Sequence, residues 1–158
     1  MKTLGMPFVI LILWVTSWGF AHAQRGSLRQ SHFNISKQNL ALQGYDPVAY
    51  FTQSKAVEGS SKYSWVHLGI TYYFSSEANK AVFVKNPVRY EPQFGGWCAY
   101  AMGESGEKVE VDPETFKIID DKLYLFYNFY FTNTLNSWNK NEKELKSKAH
   151  NNWAILFK

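Results

Sequence analysis

Two sulfur-containing side chains lie four residues apart and are the residues best suited to metal chemistry. If their segment is helical, Cys98 and Met102 project from the same face. A thiolate with a thioether favours a soft ion such as Cu(I), and His67 could supply a third ligand. Cysteine and methionine are also common in hydrophobic cores, and that is the simpler interpretation. Cys98, Met102 and His67 therefore form the metal-site hypothesis, with copper as the transition metal.

Nucleophilic catalysis is the second chemistry that Cys98 suggests. A catalytic thiol needs a neighbouring base that lowers its pKa. The predicted domain holds His67 and His150, and His67 alternates with aromatic residues as in a strand, which favours a structural role. With 1 Cys, the chain has no Cys-x-x-Cys motif for thiol–disulfide exchange. We expect a protein without catalysis of its own and keep a thiol enzyme using Cys98 as an alternative.

The composition describes a folded, aromatic-rich chain. Of its 158 residues, 46% are hydrophobic, 18% are aromatic and 19% are charged. The formal net charge is +4, and the most basic segment, residues 140–148, is interrupted by Glu142 and Glu144. Such a segment is typical of a solvated helix face, so we expect no nucleic-acid partner.

The first 23 residues have the pattern of a secretory signal peptide. Lys2 precedes an apolar run over residues 6–15, and residues 21–23 form a small-x-small cleavage site. The run is shorter than the ~20 residues that a membrane span needs, and an uncleaved anchor is the alternative. We predict cleavage after Ala23, no transmembrane span afterwards, and an exported protein that is periplasmic or secreted.

The remaining chain predicts an α+β fold, with small antiparallel β-hairpins packed against a few helices. We expect a flexible arm over residues 24–39 and a single domain over residues 40–158. Within this domain the hairpins pair residues 63–67 with 71–74 and residues 116–119 with 123–127, each around a turn.

Other elements of the domain are predicted from capping residues and spacing. Ser75 or Ser76 caps a helix that runs to about Lys85. Residues 48–51 predict a short strand, and residues 97–102 fit either a helix or a buried strand. The C-terminus predicts an amphipathic helix whose inward stripe is Leu135, Trp138, Leu145, Ala149 and Trp153.

Several separated motifs within residues 40–127 resemble the YHS domain family. They are Gly44-Tyr45-Asp46-Pro47-Val48-Ala49-Tyr50-Phe51, Tyr72-Tyr73-Phe74-Ser75-Ser76, Asn86-Pro87-Val88-Arg89-Tyr90 and Gly95-Gly96-Trp97-Cys98-Ala99-Tyr100-Ala101. The last motif is similar to the version of the domain in small exported bacterial proteins. This resemblance is specific for the family and says little about activity, because the domain occurs in many different proteins.

The resemblance also implies where a family metal site would lie. Metal-binding relatives are thought to hold a soft metal with three cysteines, and the corresponding positions here are Ala49, Ser75 and Asn79. None of these side chains is a thiolate donor, and weak oxygen ligands do not replace sulfur for copper or zinc. The family's metal site is therefore expected to be absent from its usual positions.

Aromatic side chains offer a second kind of site. Rings can line a pocket for a flat or apolar ligand, although core packing is their commoner role. The candidates are Tyr45, Asp46, Tyr50, Trp65, Tyr72, Trp97 and Tyr100. We expect an exported YHS-like binding module for a transition metal or small ligand. The alternative is a protein-interaction domain that docks through its C-terminal helix.

Overall fold

The computed structural model describes residues 26–157, and their architecture is α+β, as the sequence predicts. The helices are α1 (residues 26–32), α2 (Ala49–Thr52), α3 (Glu77–Lys85), α4 (Pro87–Tyr90), α5 (Ala99–Glu104), α6 (Thr134–Lys140) and α7 (Glu142–Ile155). The strands are β1 (Ser60–His67), β2 (Ile70–Phe74), β3 (Asp112–Ile119), β4 (Lys122–Phe126), β5 (Asn128–Phe129) and β6 (Thr132–Asn133). The signal-peptide prediction lies outside the described residues.

Three antiparallel hairpins supply the strands: β1–β2, β3–β4 and β5–β6. The first two confirm the predicted pairs, with Trp65 opposite Tyr72 and Ile118 opposite Leu123. The turn after β1 contains Gly69 at φ 81°, a conformation that costs glycine little. The first two hairpins form because short β-rich runs are joined by turns that contain Gly69 or Asp120-Asp121, residues that tolerate positive φ.

Helix α3 also follows the prediction at both ends. The Ser76 side chain accepts a hydrogen bond from the backbone N–H of Asn79 at 3.1 Å, which caps the first turn. The helix ends at Lys85, two residues before Pro87.

Residues 48–51 were predicted as a strand, and this is wrong, because helix α2 begins at Ala49. The Asp46 carboxylate accepts hydrogen bonds from the backbone N–H groups of Val48 and Ala49 at 2.8 and 3.4 Å. Asp followed by Pro47 favours a helix start, since the carboxylate satisfies free N–H groups and Pro needs none. The ambiguous segment 97–102 contains the start of helix α5, so its helical alternative is the correct one.

The segment predicted as a flexible arm over residues 24–39 contains helix α1 in its described part. Helix α1 is held by an ion pair between Arg29 and Glu91. The backbone carbonyl of His32 accepts a hydrogen bond from the Trp97 indole N–H at 2.6 Å. These partners lie more than 60 residues away, and the polar composition of the segment gives no sign of them.

Strand β4 separates two hydrophobic clusters because its side chains are buried on both faces. Leu123 and Leu125 face the cluster that contains Val48, Tyr50, Ile70, Phe74, Phe83 and Cys98. Tyr124 and Phe126 face the cluster that contains Phe94, Ala99, Met102, Trp138, Leu145 and Ala149. The fold thus places Cys98 and Met102 in different clusters.

The C-terminal helices pack their predicted stripe inward. Trp138, Leu145 and Ala149 are buried, and Leu135 and Trp153 are partly buried against the same cluster. Gly103 of α5 allows close contact with α7, because a Cβ at this position would lie 2.6 Å from the Leu145 carbonyl oxygen. Within residues 26–157, no helix is long and apolar enough to cross a membrane.

Candidate functional site

The buried carboxylate of Asp46 is surrounded by Ala49, Ser75 and Asn79, the positions at which the sequence resemblance would place cysteines. One Asp46 oxygen accepts from the Ser75 hydroxyl at 2.6 Å, from the Ser75 backbone N–H at 2.8 Å and from the Asn79 side-chain amide at 2.7 Å. The other oxygen accepts from Val48 and Ala49, at the start of α2. We call Asp46, Ala49, Ser75 and Asn79 the Asp46 cluster.

The hydrogen bonds of the Asp46 cluster connect separate segments of the chain, and we call such a cluster a structural joint. Asp46 has no exposed surface, and its two oxygens accept from five donors of the surrounding chain. The donors come from the α2 segment, the end of β2 and the first turn of α3, so that one carboxylate ties three segments together. Since both carboxylate oxygens already accept hydrogen bonds, Asp46 has no free oxygen to serve as a ligand for a cation.

Cys98 lies where helix α5 begins and is fully buried. Its sulfur is 3.4 Å from the Thr134 hydroxyl oxygen and accepts a hydrogen bond from the Tyr127 backbone N–H, also at 3.4 Å. These two partners bracket the short hairpin β5–β6, and the Thr134 backbone N–H donates to the Tyr127 carbonyl at 3.0 Å. The sulfur is therefore fixed by polar groups from the base of this hairpin.

A cavity of about 270 Å³ adjoins Cys98 and is here called the Cys98 pocket. Its lining residues come from α5, the loop after α5 and the base of hairpin β5–β6. They are Cys98, Tyr100, Ala101, Glu104, Ser105, Glu107, Val109, Tyr127 and Thr134. The accessible lining is mainly apolar, while Glu104 and Glu107 are exposed, which places carboxylates at the edge of a hydrophobic surface.

The other two residues of the metal-site hypothesis have different surroundings. Met102 is buried in the second hydrophobic cluster. His67 packs against the Phe83 ring with the centroids 6.3 Å apart, and burial lowers its pKa. Among the described residues, no group of three or more His, Cys, Asp or Glu side chains is placed to hold a metal ion. The soft-metal site of Cys98, Met102 and His67 stays a prediction.

Two of the tyrosine candidates have hydrogen-bonded hydroxyl groups in the core. The Tyr50 hydroxyl donates to the Pro113 carbonyl at 3.0 Å, and the Tyr72 hydroxyl donates to Glu91 at 2.7 Å. Burial raises the pKa of both phenols. These tyrosines are therefore part of the packed interior.

The remaining aromatic candidates lie in separate places. Tyr45 lines a second cavity of about 320 Å³ with Glu58, its hydroxyl 3.4 Å from Glu114. Trp65 lies on the solvent side of β1 and is 41% exposed. Only Tyr100, among the aromatic candidates, lines the Cys98 pocket.

The tip of hairpin β5–β6 is a surface feature that the sequence interpretation missed. Phe129 is 42% exposed, and Tyr130 and Phe131 project almost completely into solvent. Tyr130 and Phe131 have positive φ values of 49° and 67°, an uncommon conformation for bulky residues. The Phe129 ring contacts the ring of Tyr127, which lines the Cys98 pocket.

Comparison of the chain with protein-family models, with curated proteins and with solved structures finds no match.

Proposed function

We propose that this chain is an exported, non-catalytic binding module of the YHS type whose ligand occupies the Cys98 pocket. The single observation that carries the proposal is the pocket itself, an apolar cavity of about 270 Å³ beside a buried thiol. Ligand sites are concave and mainly apolar with a few placed polar groups, and this volume is close to the lower end of their usual range of roughly 300–1,000 Å³.

The surroundings of Cys98 support binding more than nucleophilic catalysis. The polar groups that contact its sulfur are the Thr134 hydroxyl and the Tyr127 backbone N–H. Neither group accepts a proton from a thiol at neutral pH, as the base in an activated cysteine does. His150, which the sequence offers as a base, instead lies 3.3 Å from the Tyr124 hydroxyl.

The Asp46 cluster supports the view that binding in this chain does not use the family's metal positions. Ser75 and Asn79 direct hydrogen-bond donors at a carboxylate, where metal-binding relatives are thought to have thiolates. We infer that this region became a structural joint and that the Cys98 pocket is the binding surface of the module.

Docking through the C-terminal helix has less support as a function. The apolar residues of α7 that could form a docking stripe, Leu145 and Ala149, are already buried against the domain. The exposed residues of the helix are mainly polar up to Asn151, and the larger exposed hydrophobic residues, Ile155 and Phe157, lie at its end.

The proposal is tested with N-phenyl-1-naphthylamine, a neutral dye whose fluorescence rises in apolar surroundings. We expect saturable binding to the chain and its loss in Ala101→Trp, because the indole fills the pocket from the α5 wall. Ala154→Trp is the matched control, since this residue is exposed on α7.

A second blocking variant covers the case in which Ala101→Trp fails to fold. Ser105→Trp changes an exposed lining residue at the pocket edge and needs no space in the core. Equal dye binding by the original chain, a folded blocking variant and Ala154→Trp would exclude the pocket as the binding site.

A further inference from the structure

The charged residues of the Cys98 pocket all carry the same sign. Glu104 and Glu107 are among its lining residues, whereas Lys, Arg and His are not. Within residues 26–157, neither carboxylate makes a hydrogen bond or an ion pair. An apolar cavity edged by two unpaired negative charges is complementary to a molecule that is both hydrophobic and positively charged.

The nearest basic residue in sequence is directed away from these carboxylates. Lys108 lies directly after Glu107, but its ammonium group is 3.3 Å from the Ser31 carbonyl oxygen and 3.1 Å from His32 Nδ1. It is therefore used in holding helix α1 and does not neutralise the edge of the pocket.

A second lysine comes near the pocket but has a carboxylate partner of its own. Lys148 forms an ion pair with Glu144 at 2.6 Å, one helical turn earlier in α7. The charge of Glu104 also raises the pKa of Lys148, although less than Glu144 does. Because Glu144 holds the ammonium group, Glu104 keeps a carboxylate that a ligand can approach.

The apolar walls add a second reason to expect a cation. Tyr100 and Tyr127 both line the pocket, and the face of an aromatic ring attracts a positive charge within about 6 Å of its centre. Val109 and Ala101 add aliphatic surface to the lining. A hydrophobic group thus contacts the walls while an attached ammonium group lies close to the rings and the two carboxylates.

We infer that the Cys98 pocket binds small hydrophobic organic cations, namely aryl or alkyl ammonium groups. This inference rests on the proposed binding function and goes further by assigning the charge and chemical class of the ligand. Such a cation could come from a free amine or from a basic side chain of a peptide, since both carry the same ammonium chemistry. The probes below distinguish these two sources.

Three probes of similar size test the sign of the charge. Phenyltrimethylammonium is a cation, tert-butylbenzene is its neutral isostere, and benzenesulfonate is an anion. We expect the cation to bind the full chain about fivefold more tightly than the neutral isostere, the benefit of two exposed charges, and the anion to bind most weakly. The preference should decrease as NaCl rises from 0.02 to about 0.5 M, because salt screens exposed charges.

Removal of the carboxylates tests the assignment to Glu104 and Glu107. The double variant Glu104→Gln/Glu107→Gln should lose most of the fivefold preference for the cation and keep only the part that the rings of Tyr100 and Tyr127 supply, with tert-butylbenzene affinity unchanged. The matched control, Glu58→Gln/Glu77→Gln, removes two negative charges from residues that do not line the pocket and should keep the fivefold preference.

The outcomes separate the inference from the proposed function. If tert-butylbenzene binds and Ala101→Trp prevents it, but the cation binds no better, the binding site stands and the cation assignment is overturned. If none of the probes binds, the proposed function and the inference both fail. A lysine methyl ester that binds as well as phenyltrimethylammonium would identify a basic peptide side chain as a source, and a much weaker one would favour a free amine.

Discussion

The Asp46 cluster and the Cys98 pocket are two regions where polar groups meet the hydrophobic interior, and they differ in how completely those groups are satisfied. Asp46 is fully buried, and its carboxylate accepts five hydrogen bonds. At the Cys98 pocket, neither Glu104 nor Glu107 makes a hydrogen bond or an ion pair within the described residues, and the apolar walls adjoin open space. A region with its donors and acceptors paired stabilises the fold, whereas one with unpaired groups beside a cavity can bind a ligand.

The largest effect is expected from the Asp46 cluster. Asp46→Asn should lower the free energy of unfolding by about 3 kcal/mol, because donors from Ser75 and Asn79 lose a charged acceptor in the interior. Urea unfolding measures this value. The matched control Asp121→Asn removes an exposed carboxylate paired with Arg89 and should change stability by less than about 1 kcal/mol. Similar small losses in both variants would mean that the cluster is not a structural joint.

A smaller effect is expected where the wall of the pocket meets the C-terminal helix. Gly103→Ala should destabilise the chain by about 2 kcal/mol, because the added methyl group meets the Leu145 carbonyl and forces α5 away from α7. Dye binding should weaken as well, since α5 forms the pocket wall. Gly26→Ala is the comparison variant, because its Cβ would be in ordinary contact at 3.6 Å, and it should leave both measurements nearly unchanged.

pH should separate stability from binding. Burial lowers the pKa of His67 and His150 in the folded chain below the ordinary value of 6.5. As pH falls from 7 to 5, the unfolded chain takes up these protons first, so the free energy of unfolding should fall. His67→Gln/His150→Gln should reduce this dependence. Binding of the neutral probe tert-butylbenzene should stay constant over the same range, because no histidine lines the pocket and this probe carries no charge for Glu104 and Glu107 to attract; a parallel loss of its binding and of stability would contradict the separation.

The smallest expected difference concerns copper. Cu(I) titrations of the original chain and of Cys98→Ser should coincide, because Cys98 and Met102 belong to different clusters and the sulfur contacts Thr134 and Tyr127. A competition assay with a chromophoric Cu(I) chelator measures the affinities. Tight Cu(I) binding that Cys98→Ser abolishes would favour the soft-metal site. It would also contradict the contrast between the Asp46 cluster and the Cys98 pocket, since Cys98 would then be a metal ligand.

The elements that could be predicted from sequence are those whose causes are local. The turns at Gly69 and Asp120-Asp121 fix two hairpins, and Ser76 caps α3 through its own neighbour Asn79. Helix α2 had a local signal as well: residues 48–51 were predicted as a strand, although Asp46 before Pro47 favours the start of a helix.

The features that were missed depend on contacts between distant parts of the chain. Helix α1 packs against the domain because Arg29 pairs with Glu91, which lies 62 residues later in the sequence. The hydrophobic pattern of the sequence gives no indication of this pairing. The Cys98 pocket forms where the α5 segment meets the base of hairpin β5–β6, and of the aromatic candidates only Tyr100 belongs to it. Residue type predicted which side chains could serve a site, but the tertiary fold decided which of them share a surface.

The most direct test of the account is a map of backbone amide chemical shifts while the ¹⁵N-labelled chain is titrated with phenyltrimethylammonium. Ligand occupation of the Cys98 pocket predicts saturable shifts at Cys98, Tyr127 and Thr134, with the amides of Ser75 and Asn79 unchanged. Shifts centred on Ser75 and Asn79, with Cys98 unaffected, would contradict the claim that binding lies at the pocket while the Asp46 cluster serves the fold.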